Sequence, residues 1–184
     1  NDMLVDSTKK DEEVILIFDK TPFYAEAGGQ LGDSGKILNS KKQTVAEISD
    51  TKKINNGIYL HFVNQCLFEL KKNESYVLEI DIYKRDKTSN NHSATHLLHE
   101  SLRQIVGKHV SQKGSLVSSK KLRFDYSSNE QLTLEKQKKI ENLVNYSIRS
   151  NIEVEINQMK LDKALKSGAI ALFGEKYPDK VRVV

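Results

Sequence analysis

Short apolar runs separated by polar turns fill the first half of the chain. Residues 13–18 combine β-branched and aromatic side chains, which predicts a buried strand. Residues 76–82 alternate between apolar and polar types, the period of two that is typical of a half-buried strand. Residues 44–50 and 58–63 are further strand candidates, and Asn55-Asn56-Gly57 is the turn signal between them.

A glycine-rich stretch lies among these predicted strands. Residues 21–35 read TPFYAEAGGQLGDSG, which predicts a long loop or a pair of tight turns. Because strands follow one another here without a helix between them, we expect residues 1–87 to form a small glycine-rich β-barrel domain.

Helical periodicity begins after this region. Residues 84–91 are polar and predict a connector, whose last residues Ser89, Asn90 or Asn91 would cap a helix over residues 92–106. At helical spacing, one face of that helix carries the apolar side chains of Leu98, Leu102, Ile105 and Val106.

The rest of the chain mixes the two element types, so we expect an α+β second domain over residues 88–184. Strands are predicted at residues 111–117, 122–126 and 152–156, and a short helix at 161–167 closed by Gly168. A longer helix is predicted from a Thr133 cap to about Ser150, with Ile140, Leu143, Val144 and Ile148 as its buried stripe. Residues 169–173 and 181–184 are apolar, and the second run predicts a domain that is incomplete at its C-terminus.

Composition narrows the class of protein. Apolar residues make up 38% and charged residues 29%, and no run approaches the roughly 20 apolar residues of a membrane span. The single cysteine, Cys66, excludes an intrachain disulfide framework and predicts a buried, inert thiol in a cytoplasmic protein. The net charge of +4 permits a nucleic-acid partner without requiring one.

Three histidines within eight residues form the clearest chemical signal. His92 and His96 are four residues apart, so a helix places their imidazoles on one side, as a His-x3-His zinc site requires. His99 and Arg103 continue this stripe beside the predicted apolar face, so we expect the histidines to lie outside the core. The competing interpretation is a polar surface stripe, because two ligands alone do not make a site.

Other candidate motifs are weaker. Ser93 stands where a His-Glu-x-x-His metalloprotease motif needs glutamate. Gly28 and Gly29 belong to neither a Walker A loop nor a dinucleotide fingerprint, and they favour either tight turning or a backbone that approaches a ligand. Glu26 is either an acid or base or a surface residue, and Gln112 can hydrogen-bond a substrate.

Five segments together resemble one family. They are residues 21–35, NHSATHLLH at 91–99, HVSQKGS at 109–115, LRFDY at 122–126 and ALFGEKYPDKVRVV at 171–184. In order and spacing they resemble the editing region of bacterial alanyl-tRNA synthetases and, more distantly, the editing domain of threonyl-tRNA synthetases. The resemblance implies a small β-barrel followed by an α+β editing domain.

The resemblance also implies roles for individual residues. His92 and His96 would hold one zinc ion, with the other two ligands supplied by a Cys-Gly-Gly-Thr-His segment that this sequence lacks. Gln112 matches a glutamine that lines the editing pocket. Residues expected near substrate or tRNA are Glu26, Gly28, Gly29, Gln30, Lys113 and Arg123, with Lys108, Lys120 and Lys121 as further phosphate contacts.

The implied activity is hydrolysis of tRNA(Ala) mischarged with serine or glycine, with ATP used only by an aminoacylation domain that we expect to be absent. The partners would be tRNA(Ala) and its mischarged forms, with no membrane, and nothing implies oligomerisation. Three alternatives stay open: a non-catalytic tRNA-docking fragment, a zinc hydrolase of small molecules, and a free-standing alanyl-tRNA editing hydrolase.

Overall fold

The computed structural model describes residues 4–54, 56–169 and 177–184. The chain forms two compact units. One comprises Asn1–His96 together with Lys113–Tyr126, and the other comprises Leu97–Gln112 together with Ser127–Val184. The first unit therefore includes residues from both of the predicted domains.

The first unit contains a five-stranded antiparallel sheet in the order β1-β4-β3-β2-β5. Within the described part of the chain, β1 and β5 are its two ends, so the expected barrel stays a prediction. The strands are β1 (Val14–Leu16), β2 (Gly35–Leu38), β3 (Thr44–Lys53), β4 (Tyr59–Cys66) and β5 (Val77–Ile80).

The core of the first unit is formed by residues of several strands of this sheet and of the segments beside it. The buried cluster combines Phe23 from the glycine-rich loop, Leu70 and strand residues, which are Ile37, Val45, Ala46, Ile48, Val63 and Cys66. Cys66 is fully buried, as expected, and this burial raises the pKa of its thiol. The thiol therefore stays protonated and unreactive near neutral pH.

Two strand predictions need correction. β1 is shorter than predicted and lies at the end of the sheet, where Ile15 is 49% and Ile17 is 56% exposed. A continuous apolar run thus marks an edge strand here, not a buried one. β2 was not predicted, because Lys36 interrupts its short apolar pattern directly after the glycine-rich loop.

The first helix, α1 (Ile82–Ile105), begins ten residues earlier than predicted. The polar stretch at residues 84–91 is helical and not a connector. Asp81 caps it, since its Oδ1 accepts the Lys84 N–H at 3.0 Å. Exposed helix faces are polar, so the missing apolar pattern concealed the first turns of α1.

An ion pair joins the start of α1 to the glycine-rich loop. Asp33 is buried, and its carboxylate receives the Arg85 guanidinium, with Nε at 2.8 Å from Oδ1. The same carboxylate accepts the Tyr24 N–H at 2.6 Å, and Arg85 also donates to the Pro22 carbonyl at 3.2 Å. Asp33 thus satisfies loop and helix donors together.

The buried side of α1 is more polar than predicted. It carries Thr88, Thr95, His99 and Leu102, whose spacings of seven, four and three residues follow one helix face. His99 is only 9% exposed, so it lies in the buried stripe and not outside the core as expected. Short polar side chains can face the interior here because Thr88 and Thr95 donate to the Lys84 and Asn91 carbonyls.

Three predictions in the middle of the chain are confirmed. β6 (Ser111–Val117) and β7 (Leu122–Ser127) form a two-stranded sheet around the predicted polar turn. α2 (Leu134–Arg149) begins after Thr133, whose side chain accepts the Lys136 N–H, and Ser150 is its C-terminal cap. In the predicted stripe Ile140 is buried, whereas Ile148 is 52% exposed.

The last described segment differs from the sequence prediction. β8 (Asn157–Lys160) pairs with β9 (Lys180–Val183), and α3 (Leu161–Lys166) is followed by Gly168 at a φ of +89° as expected. The strand predicted at 152–156 does not form, and its apolar side chains Ile152, Val154 and Ile156 are exposed. Of the apolar run at 169–173, residues 170–173 lie outside the described residues.

No helix in the described ranges is both long and apolar enough to cross a membrane.

His61 is a buried histidine that the sequence did not single out. It is fully buried on β4 between the edges of Phe18 and Phe23, with ring centroids at 5.1 and 5.6 Å. Its Nδ1 donates to the Leu16 carbonyl at 3.1 Å, and its Nε2 lies 2.8 Å from Thr21 Oγ1. Burial lowers the pKa of His61, so the folded protein favours the neutral ring.

We expect Asp33→Asn to lower the free energy of unfolding by roughly 2–3 kcal/mol, because it leaves Arg85 without its buried counter-charge. Asp86→Asn removes an exposed carboxylate beside the same arginine and should cost no more than about 0.5 kcal/mol. Urea denaturation of both variants measures the difference. Equal losses would show that the Asp33 contact does not stabilise the fold.

We also expect the fold to lose stability in acid through His61. The unfolded histidine binds its proton near pH 6.5, whereas the folded pKa is lower. The contribution is therefore complete above pH 6.5 and is lost as the pH falls towards the folded pKa, at up to about 1.4 kcal/mol per pH unit. Urea midpoints at pH 7.5 and 5.5 should diverge less in His61→Gln than in the parent, and identical slopes would contradict this account.

Candidate functional site

The two histidines predicted as metal ligands are neighbours on α1. Their rings lie nearly parallel, with an interplanar angle of 13° and a centroid separation of 5.1 Å. His92 is half-buried and His96 is exposed, so the pair has one side in the protein and one accessible from solvent. This placement agrees with the predicted helical spacing.

Gln30 brings the glycine-rich loop into contact with this pair. Its side-chain Oε1 lies 2.6 Å from His92 Nδ1, although the two residues are 62 positions apart in the chain. Gln30 is 7% exposed, so the amide is almost completely removed from water. The structure therefore joins Gln30, His92 and His96 into one site.

The backbone of the loop is held in place on both sides of Gln30. The Val117 N–H donates to the Gly29 carbonyl at 2.7 Å, and the Leu31 N–H donates to the Val117 carbonyl at 3.0 Å. Gln30 and Ala27 also exchange backbone hydrogen bonds of 3.0 and 3.1 Å. Through these bonds Gln30 pairs with Val117 in a single parallel β-bridge at the edge of β6.

α1 is linked to the same end of β6. The Asn91 side chain donates to the Ser118 carbonyl at 2.8 Å, immediately after β6 ends. The residue before His92 is therefore tied to the strand that also holds Gly29 and Leu31. The loop and the helix have a common anchor, which fixes the distance between Gln30 and His92.

Gly29 and Gly28 differ in their surroundings. A Cβ built on Gly29, whose φ is +81°, would lie 2.7 Å from the Ser115 carbonyl oxygen. Gly28, with a φ of +57°, would meet nothing within 4 Å. Gly28 and Gly29 form the tight turn between Ala27 and Gln30, as the first interpretation predicted. The close approach at Gly29 is to the protein's own strand β6, and approach to a ligand stays a prediction.

The remaining residues expected near substrate or RNA have protein contacts of their own. Glu26 Oε2 lies 3.6 Å from Lys52 Nζ, and both side chains are well exposed. Arg123 Nη2 lies 2.9 Å from Asp125 Oδ2 on the same strand. Such exposed pairs contribute little to stability and leave both groups accessible. Among the predicted phosphate contacts, Lys108, Lys113, Lys120 and Lys121 are exposed.

Gln112 and Arg103 belong to the other compact unit. Gln112 is half-buried at the second position of β6, and its role in a pocket stays a prediction. Arg103, which the sequence placed in the histidine stripe, donates to the Lys108 carbonyl at 3.0 Å. Its guanidinium therefore stabilises the turn after α1.

The donor set at the site fits part of a zinc centre. Two imidazole nitrogens of one tetrahedral zinc lie about 3.3 Å apart, given Zn–N bonds of about 2.0–2.1 Å. The ring centroids of His92 and His96 are 5.1 Å apart, so the two imidazoles are close enough to be candidate ligands of one ion. Within residues 4–54, 56–169 and 177–184, no group of three or more His, Cys, Asp or Glu side chains could hold a metal ion.

The electrostatic surroundings keep His92 neutral. Burial lowers the pKa of His92, and the neighbouring His96 lowers it further through charge repulsion. A neutral imidazole is the form that binds a metal ion or accepts a proton. Both effects therefore favour a ring that is ready to act as a ligand near neutral pH.

The sequence predicted that Gln30 lies near substrate or tRNA and did not predict its contact with His92. The only available signal was that Gln30 is a polar residue next to two glycines, a setting that predicts a constrained backbone and not a particular contact. Asp33 was missed for the same reason, since no sequence pattern connects it with Arg85.

Comparisons with known proteins place these residues in a wider context. The family model of class II tRNA synthetases (A) matches residues 1–84. The chain is 51% identical to the alanine–tRNA ligase of Fusobacterium nucleatum over an alignment of 175 residues. This alignment covers 95% of the chain and 20% of the relative. The ligases of Nitrosomonas europaea and Lactobacillus gasseri are 46% and 47% identical over 98% and 100% of the chain.

These matches support the resemblance to alanine–tRNA ligases. They change the assignment of the first 84 residues of the chain. We expected residues 1–87 to belong to an editing region and the aminoacylation domain to be absent. The match assigns residues 1–84 to the class II synthetase model instead. The chain spans about a fifth of the length of the curated relatives it matches.

We expect Gly29→Ala to destabilise the protein by roughly 2–4 kcal/mol, through overlap with Ser115 and the strain of a positive φ. Gly28→Ala is the matched control, since it adds the same methyl group to open space and should cost about 1 kcal/mol. Thermal unfolding of the two variants distinguishes these effects. Similar losses of stability in the two variants would show that β6 shifts and accommodates the methyl group at residue 29.

Proposed function

We propose that the chain is a fragment of an alanine–tRNA ligase that contributes to hydrolysis of tRNA(Ala) mischarged with serine or glycine. The similarity of 46–51% identity over nearly the whole chain supports the parent activity. The contact of Gln30 with the His92–His96 pair is the single structural observation that supports a hydrolytic site.

The chemistry of the substrates explains why a second site is needed. A pocket that selects alanine cannot exclude glycine by size, and it rejects the additional hydroxyl of serine only weakly. Differences of this kind give about 10–200-fold discrimination, so a separate hydrolytic site must remove the errors. An aminoacyl ester is already activated, and a positioned water molecule with a polarising group can cleave it.

The residues of this chain would hold and orient the metal. His92 and His96 would supply two imidazole ligands to zinc, while Gln30 holds the His92 ring. When bound, zinc orients a substrate or water and stabilises developing negative charge. Because a complete site has three or four protein ligands, we propose that the rest come from outside residues 4–54, 56–169 and 177–184.

Exposed lysines suit an RNA partner. Lys108, Lys113, Lys120 and Lys121 occur within 14 residues, and all four side chains are exposed. Lysine ammonium groups attract phosphates as point charges, without reading their geometry. We propose that they meet the acceptor end of tRNA. ATP would serve the aminoacylation reaction of the whole ligase.

A second candidate is a fragment that binds tRNA without turning it over. The observation that favours it is the donor set, since two histidines without further acidic, cysteine or histidine neighbours in the described residues bind zinc weakly. In that case, the lysine-rich segment would bind tRNA, and the histidine pair would take no part in hydrolysis.

We expect release of serine from Ser-tRNA(Ala), with added zinc, to fall at least 10-fold when His92 and His96 are both replaced by alanine. The loss follows from removal of both imidazole ligands, while RNA binding should change less than twofold. Asn90→Ala alters an exposed position two residues before His92 and should keep the parent rate. Radiolabelled serine release and filter binding measure the two quantities.

The outcomes separate the candidates. Hydrolysis by the parent chain and not by the double variant supports the editing site. RNA binding without hydrolysis by the parent chain, at any zinc concentration, supports the docking fragment. Absence of both activities would contradict both proposals for this chain.

A further inference from the structure

The hydrogen bond between Gln30 and His92 has a direction that bears on which ring nitrogen is available. The amide Oε1 is the atom that faces Nδ1, at 2.6 Å. A carbonyl oxygen only accepts hydrogen bonds, so Nδ1 must carry the proton. In a neutral imidazole, the lone pair then resides on Nε2.

Gln30 is placed to impose this arrangement. Its backbone exchanges two hydrogen bonds with Ala27, and its neighbours Gly29 and Leu31 are both bonded to Val117. Gln30 is buried, with 7% of the residue exposed, so water competes little for its amide oxygen. A buried acceptor on a fixed backbone determines both the tautomer and the rotation of the ring that donates to it.

We propose that Gln30 is a positioning residue, which holds His92 as the Nδ1–H tautomer and keeps the Nε2 lone pair available for a transition-metal ion. This inference rests on the proposed metal-binding role of His92. It gives Gln30 the role of holding the His92 ring, whereas the sequence predicted contact with substrate or tRNA. It also explains why the loop residue next to Gly29 is buried against α1.

Tautomer and affinity are separate readouts of this role. Long-range ¹H–¹⁵N correlation spectra of the metal-free chain at pH 7.5 distinguish Nδ1–H from Nε2–H rings. His61 is an internal reference, because its Nδ1 donates to the Leu16 carbonyl and should give the same tautomer pattern. Its signals also report whether a variant keeps the folded sheet.

The expected results use three variants. In the parent chain, His92 should be an Nδ1–H ring. Gln30→Met keeps the length and removes the acceptor, so the tautomer preference should be lost and Zn²⁺ affinity should fall by about 10–100-fold. Gln30→Glu keeps an acceptor and should retain both properties. Gln43→Met, the same change at an exposed position, should leave both unchanged.

An Nε2–H ring in the parent chain would overturn the proposal without use of any variant. An unchanged tautomer in a folded Gln30→Met protein would also overturn it. Failure of the deacylation assay with the expected tautomers would count against the proposed function and leave the role of Gln30 intact. Deacylation by the parent chain together with an Nε2–H ring at His92 would overturn the role of Gln30 and leave the proposed function standing.

Discussion

The buried carboxylate of Asp33 organises the first unit. It joins the glycine-rich loop to α1 through Arg85 and accepts the Tyr24 N–H within the loop, and its own carbonyl accepts the Thr51 hydroxyl from β3 at 3.0 Å. An isolated buried carboxylate would be costly, so these donors must be in place together. Loop, sheet and helix therefore adopt their arrangement as one cooperative unit.

The geometry of the candidate site depends on that arrangement of loop, sheet and helix. Gln30 reaches His92 because the loop is fixed on one side by Asp33 and on the other by Val117. Gly29 makes the second attachment possible, since the strand approaches too closely for a Cβ. The polar contact at the histidine pair is thus produced by backbone packing far from it in sequence.

Local patterns in the sequence predicted α2, β6 and β7 because caps, glycines and alternation are encoded within a few residues. They also predicted the adjacent placement of His92 and His96, which follows from helical spacing alone. They did not predict the first turns of α1 or the contact of Gln30, because these depend on partners distant in the chain. The burial of His99 could not be predicted from apolar periodicity, because a histidine is a polar position in that pattern.

The exposed segment at residues 152–156 has a consequence for self-association. It keeps the alternating Ile-Glu-Val-Glu-Ile pattern of a strand, with its apolar side chains in solvent. Antiparallel pairing of two copies about Val154 would set Glu153 directly opposite Glu155, and like charges in that position repel each other. This repulsion opposes edge-to-edge pairing through a segment whose alternating pattern would otherwise suit it.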